Sequence, residues 1–332
     1  MSQKKEFSII IPFKNWSSDL DECLIQIQKL SFKNFEVILL PDDPIEIPAA
    51  YQGMSISIIP TGAINPALKR DQGVSDSEGK YLAFIDDDAY PKNNWLDIAY
   101  KIFDTQPNTG AVGGPAITPN TDPFWARVSG AVFLSRFSGG FPERYIPKPP
   151  ARVVNDWPSV NLIVRREIFE AVGGFGSEFW PGEDTLFCQK ISQKTSKIIL
   201  YEPELIIWHH RRKELQKHLR QIGNYGLHRG YFTKIFSGNS RKIIYFIPSL
   251  WVVFILTGFV VSLFIKWVSI FYLAGWISYF IVLAISLKDI CRYETKSVGY
   301  CAIPYILLTH LWYGIKFVQG LITTKLISSL GR

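Results

Sequence analysis

The chain has 332 residues, with 36 Lys and Arg against 29 Asp and Glu, a net charge of +7, and 47% hydrophobic residues. That length admits two domains, and the four cysteines (23, 188, 291 and 301) lack both the CxxC spacing of a zinc site and the pattern of a disulfide framework. The excess positive charge lies in 211–242 beside long apolar runs, which argues against a nucleic-acid partner and for anionic lipid head groups.

The N-terminus carries charges but only a short apolar run ending at Pro12, so no signal peptide is expected and the large N-terminal part should stay in the cytoplasm. FSIII (7–11) reads as a strand, followed by a helix over about 19–30 with Ser17 or Ser18 as its cap. FEVILL (35–40) and SISII (55–59) are predicted strands, 64–77 a helix, YLAFI (81–85) a fourth strand and 94–103 another helix. The strands are continuous apolar runs, as in a parallel sheet covered on both faces, and their alternation with helices predicts a doubly wound, mostly parallel α/β sheet. Ligands of such sheets bind at the carboxyl ends of the strands. Pro12 to Asn15, Asp42-Asp43 and Asp86-Asp87-Asp88 all fall at such ends.

The Asp86–Asp88 triplet is the strongest local signal. Three adjacent carboxylates repel one another, and a divalent cation with a preference for oxygen ligands, Mg²⁺ or Mn²⁺, relieves that repulsion. A solvated acidic turn is the plain alternative for an isolated triplet. Further along, Glu183-Asp184 open a predicted helix, where the dipole favours carboxylates. Gly173-Gly174 read as a helix terminator. A short strand is predicted over 205–208, leading to His209 and His210.

Residues 243–287 are almost wholly apolar, with one charge, Lys266, near a predicted turn. They suit two membrane spans, about 243–265 and 267–287, and 300–322 is either a third span or an interfacial helix. Arg241 and Lys242 before the first span, and Lys288, Arg292 and Lys296 after the second, fit a hairpin with its basic flanks in the cytoplasm. The expected organisation is therefore an α/β domain over 1–210, a basic juxtamembrane segment over 211–242 and a transmembrane region over 243–325, in a multi-pass protein of the cell membrane.

On these motifs the chain resembles the inverting family 2 glycosyltransferases of GT-A fold, over about residues 6–240, with a tail like that of membrane-anchored members. The resemblance implies that Pro12, Asn15, Asp42, Arg70, Asp86 and Asp87 contact a nucleotide-sugar donor. It implies further that Asp86, Asp88 and His209 hold a Mn²⁺ or Mg²⁺ ion. Asp184 becomes the base that deprotonates the acceptor, with Glu183 orienting the acceptor or its partner. Asn161 and Trp180 become contacts to sugar or acceptor. The acceptor implied by the anchor is lipid-linked or a growing glycan. Pro44 stands where the family usually continues Gly-Ser after its Asp pair, and Asn224 and Tyr225 replace the Arg-Trp of processive synthases. A GT-A-like nucleotidyltransferase would also use the triplet but has no need of Glu183-Asp184. An inactive membrane scaffold has no need of either.

Overall fold

The structure, a computed structural model, describes residues 4–326, so the first three residues of the expected catalytic domain lie outside it. The chain forms two compact units. Among the described residues, the first holds 4–117 and 146–209, and the second Thr118–Tyr145 and His210–Leu326.

In the first unit the elements run β1 (Phe7–Pro12), α1 (Ser18–Gln28), β2 (Phe35–Leu40), β3 (Ile56–Ile58), α2 (Pro66–Ser75), β4 (Tyr81–Ile85), β5 (Ala89–Pro91), α3 (Trp95–Thr105), β6 (Thr109–Gly113) and β7 (Ala116–Ile117). The chain returns to this unit, after α4 (Phe124–Ala131) of the second, with β8 (Arg152–Val154), β9 (Asn161–Arg165), α5 (Arg166–Val172), α6 (Glu183–Lys194), β10 (Ile198–Tyr201) and β11 (Ile207–His209). Eight strands form one sheet in the order β3-β2-β1-β4-β9-β6-β10-β8. The pairs from β3 to β4, and β6 with β10, are parallel; β9 runs antiparallel between β4 and β6, and β8 closes the edge antiparallel to β10.

Continuous apolar strands follow from burial on both faces. Along β1, Ile9 and Ile11 pack with Leu20, Leu24, Trp95 and Leu96 of α1 and α3. Ile10 points the other way, into a second layer with Ala67, Val74, Phe169 and Phe187 of α2, α5 and α6. Local chemistry sets the helix ends. Ser17 caps α1 by accepting from the Leu20 N–H at 3.1 Å. Asn65 caps α2 in the same way, with Pro66 in the first turn. Gly173 ends α5 at φ 76°, a left-handed conformation that glycine adopts without cost. A small second sheet, β5-β11-β7, pairs Ala89 with His209.

The second unit is helical: α4, α7 (Leu215–Ile235), α8 (Ser237–Ser240), α9 (Ile247–Ser262), α10 (Lys266–Ile290) and α11 (Lys296–Ile322). Two of its helices, α10 and α11, are long and apolar enough to cross a membrane; α9 is a shorter apolar helix of 16 residues inside the first expected span. Residues 118–145, expected in the catalytic domain, belong to this unit instead. Arg127 pairs with Glu294, Ser135 donates to Asp289 at 3.0 Å, and Ser129 meets His218 at 2.8 Å. These partners lie 89 to 167 residues away in sequence, so hydropathy alone does not reveal them.

Candidate active site

The site is built at the carboxyl ends of β1, β2 and β4, where strand direction puts the loops after Pro12, Leu40 and Ile85 side by side. Two backbone bonds tie the first two loops, Phe13 N–H to Leu40 O at 3.1 Å and Asp42 N–H to Lys14 O at 3.3 Å. Lys69 of α2 completes this corner. Its side chain is 2% exposed, and its ammonium donates to Phe13 O (2.6 Å), Leu40 O (3.0 Å) and Asp42 Oδ1 (2.6 Å). A buried lysine is tolerated only with such complete partnering. Asp42, the expected contact to the donor base, is thus held in an ion pair at 7% exposure. Asn15 stands exposed beyond the end of β1, whose last residue, Pro12, is buried.

The acidic triplet follows β4 directly, and β5 starts at Ala89. Because β5 pairs with β11 in a register that sets Ala89 opposite His209, the imidazole arrives beside the triplet. His209 Nε2 lies 3.1 Å from Asp88 Oδ1. Asp86, Asp88 and His209 each offer one ligand atom, all within 4.8 Å of one another. All three, like Asp87, are partly exposed, which leaves one side of the cluster open. Two carboxylate oxygens and an imidazole nitrogen with open positions fit a divalent cation such as Mn²⁺. The negative field of the triplet reaches the core: burial first, then Asp87, Asp88 and Asp86, push the Cys23 thiol up.

Arg70 joins the two acidic motifs. Its guanidinium is buried and donates from Nη2 to Asp86 Oδ1 at 2.6 Å and from Nη1 to Glu183 Oε1 at 3.0 Å, while lying over the Phe175 ring. Burial works against its charge, but Asp86 and Glu183 outweigh burial and strengthen its hold on the proton. Burial, then the neighbouring Asp184 charge, push the Glu183 carboxyl up to about 7 against the pull of Arg70. The two carboxylates that open α6 therefore differ. Glu183 is 5% exposed and committed to Arg70. Asp184 is half-buried and accepts from the Thr185 N–H at 2.7 Å.

The same helix also positions the loop before α6. Asp71, next to Arg70, accepts from the Gly176 and Phe175 N–H groups at 2.8 Å, and Asn65 donates to Ser177 O at 3.2 Å. Trp180 is half-buried and precedes Pro181 through a cis peptide bond. Sequence reasoning missed Lys69 and Asp71 as site-building residues, although both flank Arg70. Their signal is only the presence of charges on a helix face that packs on the sheet.

Asn161 is not brought into this cluster. It is fully buried, accepts from the Trp95 indole at 2.9 Å, and donates to Pro115 O at 3.3 Å and Leu205 O at 2.7 Å. With both ends of its amide committed to protein partners, it braces the core rather than facing a sugar. Trp157 is likewise buried, donating to Gly114 O at 3.1 Å.

Comparison with known proteins agrees with this architecture. A pre-mycofactocin glycosyltransferase of Mycobacterium tuberculosis is 24% identical over 233 residues, which cover 67% of this chain and 46% of that protein. A glucosyl-dolichyl phosphate glucuronosyltransferase of Haloferax volcanii is 25% identical over 152 residues, covering 43% of this chain and 47% of the relative. The chain thus spans about half the length of the curated relatives it matches. Among solved structures, the mannosyltransferase PcManGT from Pyrobaculum calidifontis, in complex with GDP-Man and Mn²⁺, shares the fold. It superposes with a TM-score of 0.56 over 98% of this chain and 89% of that one, at 15% identity. The family described as glycosyl transferase family 2 matches residues 8–173, half of the sequence, and the chain belongs to that family.

Proposed function

We propose that the chain is a metal-dependent, inverting glycosyltransferase. It moves one sugar from a nucleotide-diphosphate donor to a lipid-linked acceptor at the cytoplasmic face of a membrane. The observation that carries this reading is the Asp86–Asp88–His209 cluster joined through Arg70 to Glu183 beside a second, more accessible carboxylate, Asp184. Asp86, Asp88 and His209 would hold the cation, which supplies charge neutralisation of the leaving diphosphate without a proton transfer. Asp42 and Arg70 contribute to the donor side, Asp42 near the base and Arg70 near the diphosphate.

Asp184 takes the proton of the acceptor hydroxyl as its oxygen forms the new bond to the anomeric carbon. The bond from that carbon to the phosphate oxygen breaks with its electron pair, and the nucleoside diphosphate leaves. Direct attack opposite the leaving group inverts the anomeric centre. Glu183 is a positioning residue here: its ion pair with Arg70 fixes the guanidinium between the two acidic motifs. Trp180, three residues before α6, serves in this reading as a contact to the sugar or acceptor.

The acceptor class rests on the apolar helices of the second unit and on the H. volcanii relative, whose name states a dolichyl-phosphate-linked acceptor. The orientation rests on the basic flanks of α9 and α10. Membranes containing the chain, incubated with a panel of nucleotide sugars, should release nucleoside diphosphate from one donor class, only with Mn²⁺ or Mg²⁺ present. Release of pyrophosphate instead would point to a nucleotidyltransferase, and no turnover with any donor would contradict the reading.

A further inference from the structure

Hydropathy marks α10 and α11 alike as helices able to cross a membrane. Their surroundings differ. Of the apolar stretch of α10, 11% is buried within the protein, against 33% of that of α11. The lipid-ready surface is concentrated on α9, the turn and the first half of α10, where Leu256, Leu263, Phe264, Trp267 and Phe271 stand exposed.

The second half of α11 is held by α7 along its length, the two helices running parallel. His218 Nε2 meets Thr309 Oγ1 at 2.9 Å near the start, and Lys234 donates to Thr323 O at the end. Between these points the backbones approach closely. A Cβ added to Gly230 would fall 2.1 Å from Phe317 O, and one added to Gly320 would fall 2.1 Å from Leu227 O. Yet α7 carries Lys217, Arg220, Gln221, Asn224, Arg229 and Lys234 within its 21 residues. A helix with four basic residues at that density is excluded from the hydrocarbon core. Whatever depth α7 takes, residues 309–323 of α11 share it.

The rest of α11, 296–308, reaches only ~20 Å at 1.5 Å per residue, short of the ~30 Å of a hydrocarbon core. It is also anchored just before its first turn, by the Arg127–Glu294 pair. The exposed residues of the second half, Trp312, Ile315, Val318 and Ile322, recur at three- and four-residue spacing on one face. Lys316, beside them, lies over the Trp312 ring with its ammonium on Gln319, the snorkelling arrangement of an interfacial lysine.

From this packing we infer that α11 does not cross the membrane. Together with α7 it forms an in-plane platform whose apolar stripe rests on the lipid surface, and the α9–α10 hairpin is the inserted element. This inference rests on the membrane attachment proposed above and commits further, to Lys33 and Thr324 lying on one side of the bilayer. The partner is a phospholipid interface, recognised by this apolar stripe together with the basic residues that α7 carries.

The test uses the full chain with Cys291→Ser and Cys301→Ser, which leaves the buried Cys23 and Cys188 as its native thiols. Single reporter cysteines are placed at exposed Lys33, in the first unit, and exposed Thr324, after α11. Flotation with vesicles of mixed neutral and anionic phospholipid is scored first, then labelling of sealed vesicles with a membrane-impermeant maleimide. The inference expects flotation, with both reporters labelled from the same side to a similar extent. Flotation with labelling from opposite sides would overturn the inference and leave the membrane attachment standing. Failure to float would overturn both.

Discussion

The two units use charged and polar side chains for different ends. In the first, charges crowd the carboxyl edge of the sheet: Asp42 with Lys69, Asp86 with Arg70, Arg70 with Glu183, and Asp88 with His209. Three adjacent carboxylates and a buried guanidinium shared between two acids are costly choices if stability is the only aim, because desolvation opposes each charge. In the second, several buried polar groups pin an apolar lattice. Ser129, His218 and Thr309 form a closed chain in which the imidazole meets a hydroxyl on each side. Burial and then Arg211 push His218 down to about 4, so it stays neutral. Two histidines nine residues apart thus have opposite settings: His209 beside an acidic, partly open cluster, and His218 sealed between hydroxyls. Histidine in a sequence signals neither role; the charge of its neighbours decides.

Substitutions should separate the two settings. Asp88→Asn removes a proposed cation ligand and should lower transfer by roughly 10³-fold or more, because the charge stabilisation a cation supplies is worth several kcal/mol. Near-normal transfer by this variant in the presence of chelator would end the metal reading. Asp184→Asn keeps shape and removes the proton acceptor. It should lower kcat by about 10²–10⁴-fold with donor KM little changed. If Asp184→Asn turns over normally while Glu183→Gln does not, the roles of the two carboxylates are exchanged.

The pH response sharpens the contrast further. Glu183 holds its proton up to about 7 in the folded chain, above the ordinary 4.5 of an unfolded glutamate. Between these values the native state binds a proton that the unfolded state has lost, so stability falls as pH rises through that window. Thermal unfolding of the wild type should show this decline, and Glu183→Gln should flatten it. An equal decline in the variant would assign it to other groups. The smallest catalytic effect belongs to the second unit. His218→Ala leaves two buried hydroxyls without their partner and should cost about 1–3 kcal/mol of stability for each. Transfer per folded molecule should be unchanged, and a specific loss of kcat at undiminished stability would give His218 a catalytic part.

Much of the sheet was legible because its inner strands are apolar on both faces: β2 and β4 match their predicted limits, and β1 differs by one residue. Of the later strands, β11 was legible in part, expected over 205–208 and found at Ile207–His209; the others were not. β5, β7 and β8 have two or three residues each, too short for a periodic signal, and β6 (TGAVG) is diluted by two glycines and an alanine, residues depleted in strands. The site shows the same limit. The triplet and Glu183-Asp184 stand out as unusual local clusters. The bond from Arg70 to Glu183 spans 113 residues and depends on the fold. Asn161 marks the opposite case, a motif residue whose amide is consumed by Trp95, 66 residues away, and by two carbonyls. The reach of His209 to Asp88 depends on the β5–β11 register, which neither short strand announces alone.

The central claim is that Asp86, Asp88 and His209 form one cation site serving the donor diphosphate. Titration of the full chain with Mn²⁺ in the presence of UDP or GDP, followed by the loss of the free-ion electron paramagnetic resonance signal, tests it directly. The account predicts one saturable Mn²⁺ per chain with at least one of the two nucleotides. That site should be weakened at least tenfold in both Asp88→Asn and His209→Ala, while His218→Ala binds as the wild type does. Equal Mn²⁺ binding by the wild type and the two site variants would contradict it.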